Sequence, residues 1–211
     1  MSCFDQEAAS WDDQPRRVQL ARSVGEAIMR EAAPTREMEV LDYGCGTGLL
    51  GLYLLPHVAS VTGADNSPGM LEVLQGKIVR GGLEHMKTMR LDLEHDAVPG
   101  DHYDLIVTTM TLHHMADVEK TLRGFRQMLR PQGVLCLADL DTEPGTFHTA
   151  AAAGSVYHHG FDRPKLKNLL AKVGFTQAKD ATAVSFTKPV EVGGEAAFSI
   201  FLITAQRGDG G

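Results

Sequence analysis

The stretch Val40–Leu41–Asp42–Tyr43–Gly44–Cys45–Gly46–Thr47–Gly48–Leu49–Leu50 constrains this chain more than any other. A short β-type run enters three glycines at alternate positions and leaves as an apolar helical run. Glycine lets the backbone turn sharply and approach a ligand closely. In open parallel sheets, ligands lie beyond the carboxyl ends of the strands, so a strand–glycine loop–helix unit predicts a fold class and a binding site together. Asp42 stands two residues before the first glycine, and a carboxylate there suits a cationic ligand group better than a pyrophosphate. Gly46 to Gly51 also matches G-x-G-x-x-G, the dinucleotide pattern of a NAD(P)-dependent oxidoreductase. That pattern is weak alone, and Gly44 already begins the turn two residues earlier.

The remaining chain repeats the alternation of strand and helix. Ala59–Ala64, Met86–Leu91, Tyr103–Met110 and Val134–Leu140 read as further strands, the last apolar throughout. Leu49–Leu55 reads as a helix, and Ser67 with Pro68 marks the start of another. Val118, Leu122, Phe125 and Leu129 share one helical face across Asp117–Leu129, and Pro164–Val173 is a helix stopped by Gly174. Strands separated by helices imply parallel pairing with both faces covered. Phe175–Phe186 and Ala197–Gln206 have only the turn-like Pro189–Gly194 between them, which predicts an antiparallel hairpin. Residues 141–160 hold no regular element. The pattern is a doubly wound α/β sheet, and 211 residues with 43% hydrophobic content suit one domain with a sizeable core.

Twenty-seven acidic against twenty basic residues give a net charge of −7, which argues against a nucleic-acid or anionic-membrane partner. Cys3, Cys45 and Cys136 lie far apart with no C-x-x-C pair, so neither a disulfide framework nor a cysteine-rich zinc site is expected. The acidic, polar start lacks the features of a signal peptide, and no apolar run approaches the roughly 20 residues needed to span a bilayer. A cytoplasmic protein is expected, monomeric or homodimeric.

The D-x-G-x-G-x-G run, followed by an acid at the end of the next strand, resembles the class I S-adenosylmethionine-dependent methyltransferases, and among them the small-molecule (ubiquinone/menaquinone-biosynthesis) type. The resemblance extends over about residues 38–140. It implies a Rossmann-like sheet of seven strands in the order 3-2-1-4-5-7-6, the last antiparallel. It implies residues 1–35 as covering helices, 36–140 as the cofactor core, 141–163 as a substrate lid and 164–206 as a C-terminal helix and hairpin. S-adenosyl-L-methionine is the implied cofactor and a small molecule the methyl acceptor. By the same resemblance Gly44, Gly46 and Gly48 surround the methionine part and Asp42 anchors the loop on the ammonium side. Asp65 takes the ribose hydroxyls beside Asn66, Met70 packs on adenine, and Asp92–Leu93 meet the adenine amine and ring. Thr108, Thr109 and Met110 pass the methionyl group, and Leu112–His113–His114–Met115 matches a run common after that strand. Phe4–Arg22 resembles a lid helix, with Trp11, Arg16 and Arg17 over the cofactor; a plain amphipathic covering helix is the alternative.

Chemistry supports the cofactor independently of the family. Its sulfonium, ammonium, ribose hydroxyls and adenine amine all favour acceptors, and Asp42, Asp65 and Asp92 supply acceptor-only carboxylates at successive strand ends. Each charge-assisted hydrogen bond contributes about 1.5–3 kcal/mol. Methyl transfer needs no protein nucleophile, and a base only where the acceptor loses a proton; His113 or His114 is the candidate. Candidate acceptor-pocket residues are His148, Tyr157, His158, His159 and Phe161. No metal is expected, because the histidine pairs 113–114 and 158–159 are adjacent, and adjacent side chains on a helix or strand point apart. A non-catalytic cofactor-binding module is the second functional reading.

Overall fold

The computed structural model describes residues 3–149, 153–191 and 193–208. Most of the low-complexity run Ala150–Gly154 and most of the glycine-rich tail Arg207–Gly211 lie outside these residues. Seven strands form one sheet: β1 (Glu39–Tyr43), β2 (Ser60–Asp65), β3 (Met86–Arg90), β4 (Tyr103–Thr109), β5 (Leu129–Leu140), β6 (Phe175–Pro189) and β7 (Glu195–Arg207). Their order is β3-β2-β1-β4-β5-β7-β6. Pairing is parallel from β3 to β5, and β7 runs antiparallel to both β5 and β6. The fold is the expected Rossmann-like seven-stranded sheet, its edges flanking a central β1–β4 seam.

Helices α1 (Cys3–Glu7), α2 (Pro15–Glu31), α3 (Leu49–Leu54), α4 (Pro68–Gly81), α5 (Val118–Met128) and α6 (Arg163–Val173) accompany the sheet. Three have side-chain caps at their starts. Ser67 Oγ accepts from Met70 N, Asp117 from Lys120 N and Asp162 from Lys165 N, while Gly82 and Gly174 end α4 and α6 in the left-handed region. Alternation along the strands sends side chains to two cores. Val40, Leu105 and Val107 join one with Ile28, Leu54 and Leu74; Leu41, Tyr43 and Ile106 join the other with Leu122 and Phe125.

Three expectations are corrected. Phe4–Arg22 is not one helix: α1 passes into a 3-10 turn over Ala8–Asp13, and Gln14 is extended (φ −90°, ψ 104°) because it precedes Pro15, which opens α2. β5 begins at Leu129, ahead of Pro131 and Gly133, because Gln132 (φ +66°) turns an irregularity into the strand where Tyr103 pairs Leu129 but Leu105 pairs Val134. β5 is also not apolar throughout, since Asp139 is fully buried within it.

Candidate functional site

The glycine loop lies at the carboxyl end of β1, and its three glycines have φ of +70°, +53° and +85°. A Cβ on Gly44 would sit 2.2 Å from Thr111 Oγ1, and one on Gly48 would sit 2.4 Å from Leu74. Only at Gly46 is there room: a Cβ there would meet Met70 Sδ at 3.9 Å and Trp11 Nε1 at 4.0 Å. So two glycines serve close packing, and the middle one leaves a lined space above the backbone.

Asp65, at the end of β2, is the hub of the loop. Its Oδ2 accepts from Gly46 N at 2.8 Å and its Oδ1 from Ser67 N at 2.9 Å. Burial raises its pKa, against the lowering effect of those amides. Asp42 is 2% exposed, and its Oδ2 accepts from Gly51 N at 2.9 Å, in the first turn of α3. Burial pushes its pKa up to about 7. The carboxylate therefore anchors the helix start beneath the loop and presents little face to the crevice. Gly51 lies inside α3, where a Cβ would stand 3.0 Å from Asp42 Oδ2 and 3.2 Å from Val61, so it serves the close packing of α3 on the strands.

Beyond β3, Asp92 accepts from Glu94 N at 3.0 Å and contacts His95 Nδ1 at 3.0 Å. Partial burial pushes its carboxyl up, but the His95 and Glu94 hydrogen bonds hold it below its ordinary value. With Asn66, Asp5, Pro68, Arg90, His95 and Asp96 it lines a cavity of about 580 Å³. Met70 is buried beside the glycine loop, and Leu93 is buried with its N–H donating to Tyr43 Oη at 3.1 Å. Tyr43 thereby ties the end of β1 to the loop after β3, a link without a motif in the sequence.

The N-terminal segment closes over this surface. Asp5 accepts from Ser67 Oγ at 2.6 Å, and Asp12 accepts from Thr47 Oγ1 at 2.6 Å and pairs with Lys77 at 2.5 Å. Trp11 covers Gly46, and Arg17 lies 3.5 Å over the Trp11 ring while pairing with Glu7 at 2.7 Å. Its guanidinium is thus engaged by a carboxylate and an aromatic face of the same segment.

At the carboxyl end of β4, Thr109 Oγ1 and Thr108 Oγ1 are buried without a partner, and Met110 adopts φ +55°. The chain then closes a 3-10 turn over Leu112–His114. This turn overturns the argument that His113 and His114 diverge: on it their ring centroids are 4.1 Å apart. His148, from the segment after β5, brings a third ring to 4.9 Å from His113 and 5.5 Å from His114. His113 is 1% exposed, and its Nδ1 lies 2.7 Å from Oδ1 of Asp139. His114 Nδ1 donates to the Ser155 carbonyl at 2.6 Å. Burial lowers the pKa of His114 to about 4 and of His148 to about 3, each further depressed by its histidine neighbours. Of the other pocket candidates, Tyr157 is 62% exposed, His159 turns to Glu143 at 3.6 Å, and His158 Nε2 contacts the Met115 carbonyl at 2.9 Å against Phe161. Asp139 escaped the sequence reading, although a carboxylate inside an apolar strand is itself a signal.

The residues present suit S-adenosylmethionine: a left-handed glycine cradle with space above Gly46, acceptor-only carboxylates around the adjoining cavity, and an orphaned Thr109 hydroxyl at the strand end.

Comparison with known proteins agrees. The methyltransferase domain family matches residues 16–179. An uncharacterized methyltransferase of Schizosaccharomyces pombe is 28% identical over 155 residues, covering 67% of this chain and 55% of its own. A ubiquinone biosynthesis O-methyltransferase of Azorhizobium caulinodans is 29% identical over 128 residues, covering 61% of this chain and 50% of its own. The chain spans about half the length of these curated relatives. The crystal structure of YcgJ from Bacillus subtilis superimposes with a TM-score of 0.72 at 18% identity, over 90% of this chain and 99% of that one. A SAM-dependent methyltransferase from Aquifex aeolicus gives 0.70 at 18% identity, over 96% and 98%. With the family matched across most of its length on the same seven-stranded sheet, the chain belongs to the methyltransferase domain family, the S-adenosylmethionine-dependent methyltransferases.

Proposed function

We propose that this chain transfers a methyl group from S-adenosylmethionine to a small-molecule acceptor. The acceptor sits where the end of β4 meets the His113–His114 turn and the 141–163 lid. The observation that carries the reading is the arrangement of Asp65 as hub of the glycine loop, with Asn66 and Asp92 facing one cavity and the orphaned Thr109 hydroxyl at the end of β4. When bound, the cofactor supplies an electrophilic methyl on a sulfonium, open to in-line displacement.

The protein's contribution is placement. Gly44, Gly46 and Gly48 receive the methionine part, Asp65 and Asn66 the ribose, and Met70, Asp92 and Leu93 the adenine. Trp11 covers the loop, and Arg17 meets the methionine carboxylate after exchanging Glu7 for it. Closing donor and acceptor together and excluding water supplies roughly 7–11 kcal/mol of the barrier. Where the acceptor must lose a proton, His113 or His114 serves as base. Asp139 accepts from the Nδ1–H of His113 and the Ser155 carbonyl from that of His114, which leaves an Nε2 lone pair on each ring for the proton.

A small-molecule acceptor fits the acidic charge better than a nucleic acid does. The ubiquinone biosynthesis O-methyltransferase among the relatives points the same way. Among the described residues no helix is long and apolar enough to cross a membrane, and the buried free thiols of Cys45 and Cys136 suit a reducing, cytoplasmic setting.

Calorimetric titration with S-adenosylhomocysteine and NADH, followed by labelled-methyl transfer to a panel of phenols, amines, thiols and carbon acids, tests the reading. One-to-one binding of the homocysteine nucleoside, no heat with NADH and label in at least one acceptor are expected. Binding without transfer to any acceptor would favour the non-catalytic module, and heat with NADH alone would defeat the proposal.

A further inference from the structure

Three imidazoles from two distant parts of the chain converge below the end of β4. One ring nitrogen each of His113, His114 and His148 lies within 4.8 Å of the others. The hydrogen bonds fix which nitrogens are free. A carbonyl oxygen can only accept, so the 2.6 Å contact with Ser155 O places the proton of His114 on Nδ1 and the lone pair on Nε2. The Asp139 carboxylate, 2.7 Å from His113 Nδ1, does the same for that ring. His113 Nε2 and His148 Nε2 are both buried without a partner. Buried polar atoms left unpaired are costly, so an occupant that pairs with both is favoured.

We propose that His113, His114 and His148 form a binding site for a divalent transition-metal ion, of the zinc class. The site fits that chemistry in three respects. Three neutral imidazoles with an open fourth position are a familiar donor set for zinc. The set has no oxygen ligand, which disfavours magnesium and calcium. Asp139 and the Ser155 carbonyl occupy the second shell, where metal-bound histidines donate their other ring N–H and are held in tautomer and orientation. Nitrogens on a tetrahedral zinc stand about 3.3 Å apart for bonds of about 2.0 Å. The rings must draw together slightly, and His148, on a segment outside any helix or strand, is free to supply the shift.

The site depends on the ring geometry and goes beyond the methyl-transfer reading. One lone pair on His113 serves either an ion or a proton, so metal loading and base action at that nitrogen exclude each other.

The test uses the untagged full chain, stripped with a chelator and titrated with Co(II), then with Zn(II). One equivalent of Co(II) should bind, with the visible bands of a four-coordinate nitrogen-ligated ion, and Zn(II) should displace it. His148→Ala and, separately, His114→Ala should weaken binding at least a hundredfold, with S-adenosylhomocysteine binding reporting that each variant is folded. Absence of saturable one-to-one binding overturns the site. So does unchanged affinity in whichever variant folds, because the ion would then sit on surface histidines such as His57 or His95. A chain that binds the homocysteine nucleoside but no metal loses only the site, and a chain that binds metal but no nucleoside loses only the methyl-transfer reading.

Discussion

The glycine-loop side of the crevice and its histidine side are built by different means. On the first, the groups come from consecutive strand ends and short sequence spans: Gly46 N meets Asp65, Ser67 N meets Asp65, and Gly51 N meets Asp42. Backbone amides carry most of the contacts, and positive φ at three glycines sets their direction. On the second, side chains do the work across long spans: His113 to Asp139, His114 to Ser155, and both rings to His148. A backbone-defined region is rigid and written in spacing. A side-chain-defined region is adaptable, which suits the acceptor-fitting role proposed for this side.

Thr111 joins the two sides, and Gly44→Ala should break both at once. The new Cβ would stand 2.2 Å from Thr111 Oγ1 in a backbone at φ +70°, and Thr111 leads directly into the histidine turn. A hundredfold or greater loss of S-adenosylhomocysteine affinity is expected, with a fall in stability of about 1–3 kcal/mol in urea titration. Gly46→Ala, where a Cβ meets nothing closer than 3.9 Å, should retain the fold, lose about 1–2 kcal/mol to the φ of +53°, and lose ligand affinity. If Gly44→Ala bound as tightly as the parent chain, the two sides would not share that joint.

Asp65→Ala sharpens the division. Its carboxylate touches only the glycine-loop side, holding Gly46 N and Ser67 N. Calorimetry should show cofactor affinity falling tenfold or more, about 1.4 kcal/mol, while the Co(II) titration of the histidine site stays unchanged. Loss of metal uptake in this variant would show that the sides are coupled through more than Thr111.

The same division explains what could be read before the fold was known. The alternation of strand and helix, the capping of α4 by Ser67 and the positions of Asp42 and Asp65 at strand ends followed from local patterns, because strand, turn and helix chemistry are short-range; the sheet order came from the family resemblance, because strand neighbours are set by long-range packing. The break of the N-terminal cover at Gln14–Pro15 was legible too, from proline's effect on its neighbour, but an amphipathic pattern masked it. The histidine cluster was not legible. Residues 113 and 148 meet only through tertiary packing, and the divergence expected of adjacent histidines holds for helices and strands but not for a 3-10 turn. Asp139 carried a signal as a carboxylate inside an apolar strand, but its role did not, since its partner lies 26 residues away.

The Asp42 carboxyl decides whether the glycine-loop side is purely structural at its base. Burial raises this carboxyl to about 7 in the folded chain, against an ordinary value of 3.8. Between those values the folded state holds a proton that the unfolded state has released. Stability from this group is therefore present at low pH and is lost as pH rises through the window, by at most about 1.4 kcal/mol per pH unit. Asp42→Asn keeps an acceptor for Gly51 N and removes the ionisation. The difference in unfolding free energy between the variant and the parent, measured from pH 4 to pH 8, should move steadily in favour of the variant and level off above pH 7. A flat difference would mean that Asp42 stays ionised in the fold, paired with a positive group across the crevice. Its carboxylate would then belong to the ligand-facing surface and not to the scaffold beneath the loop.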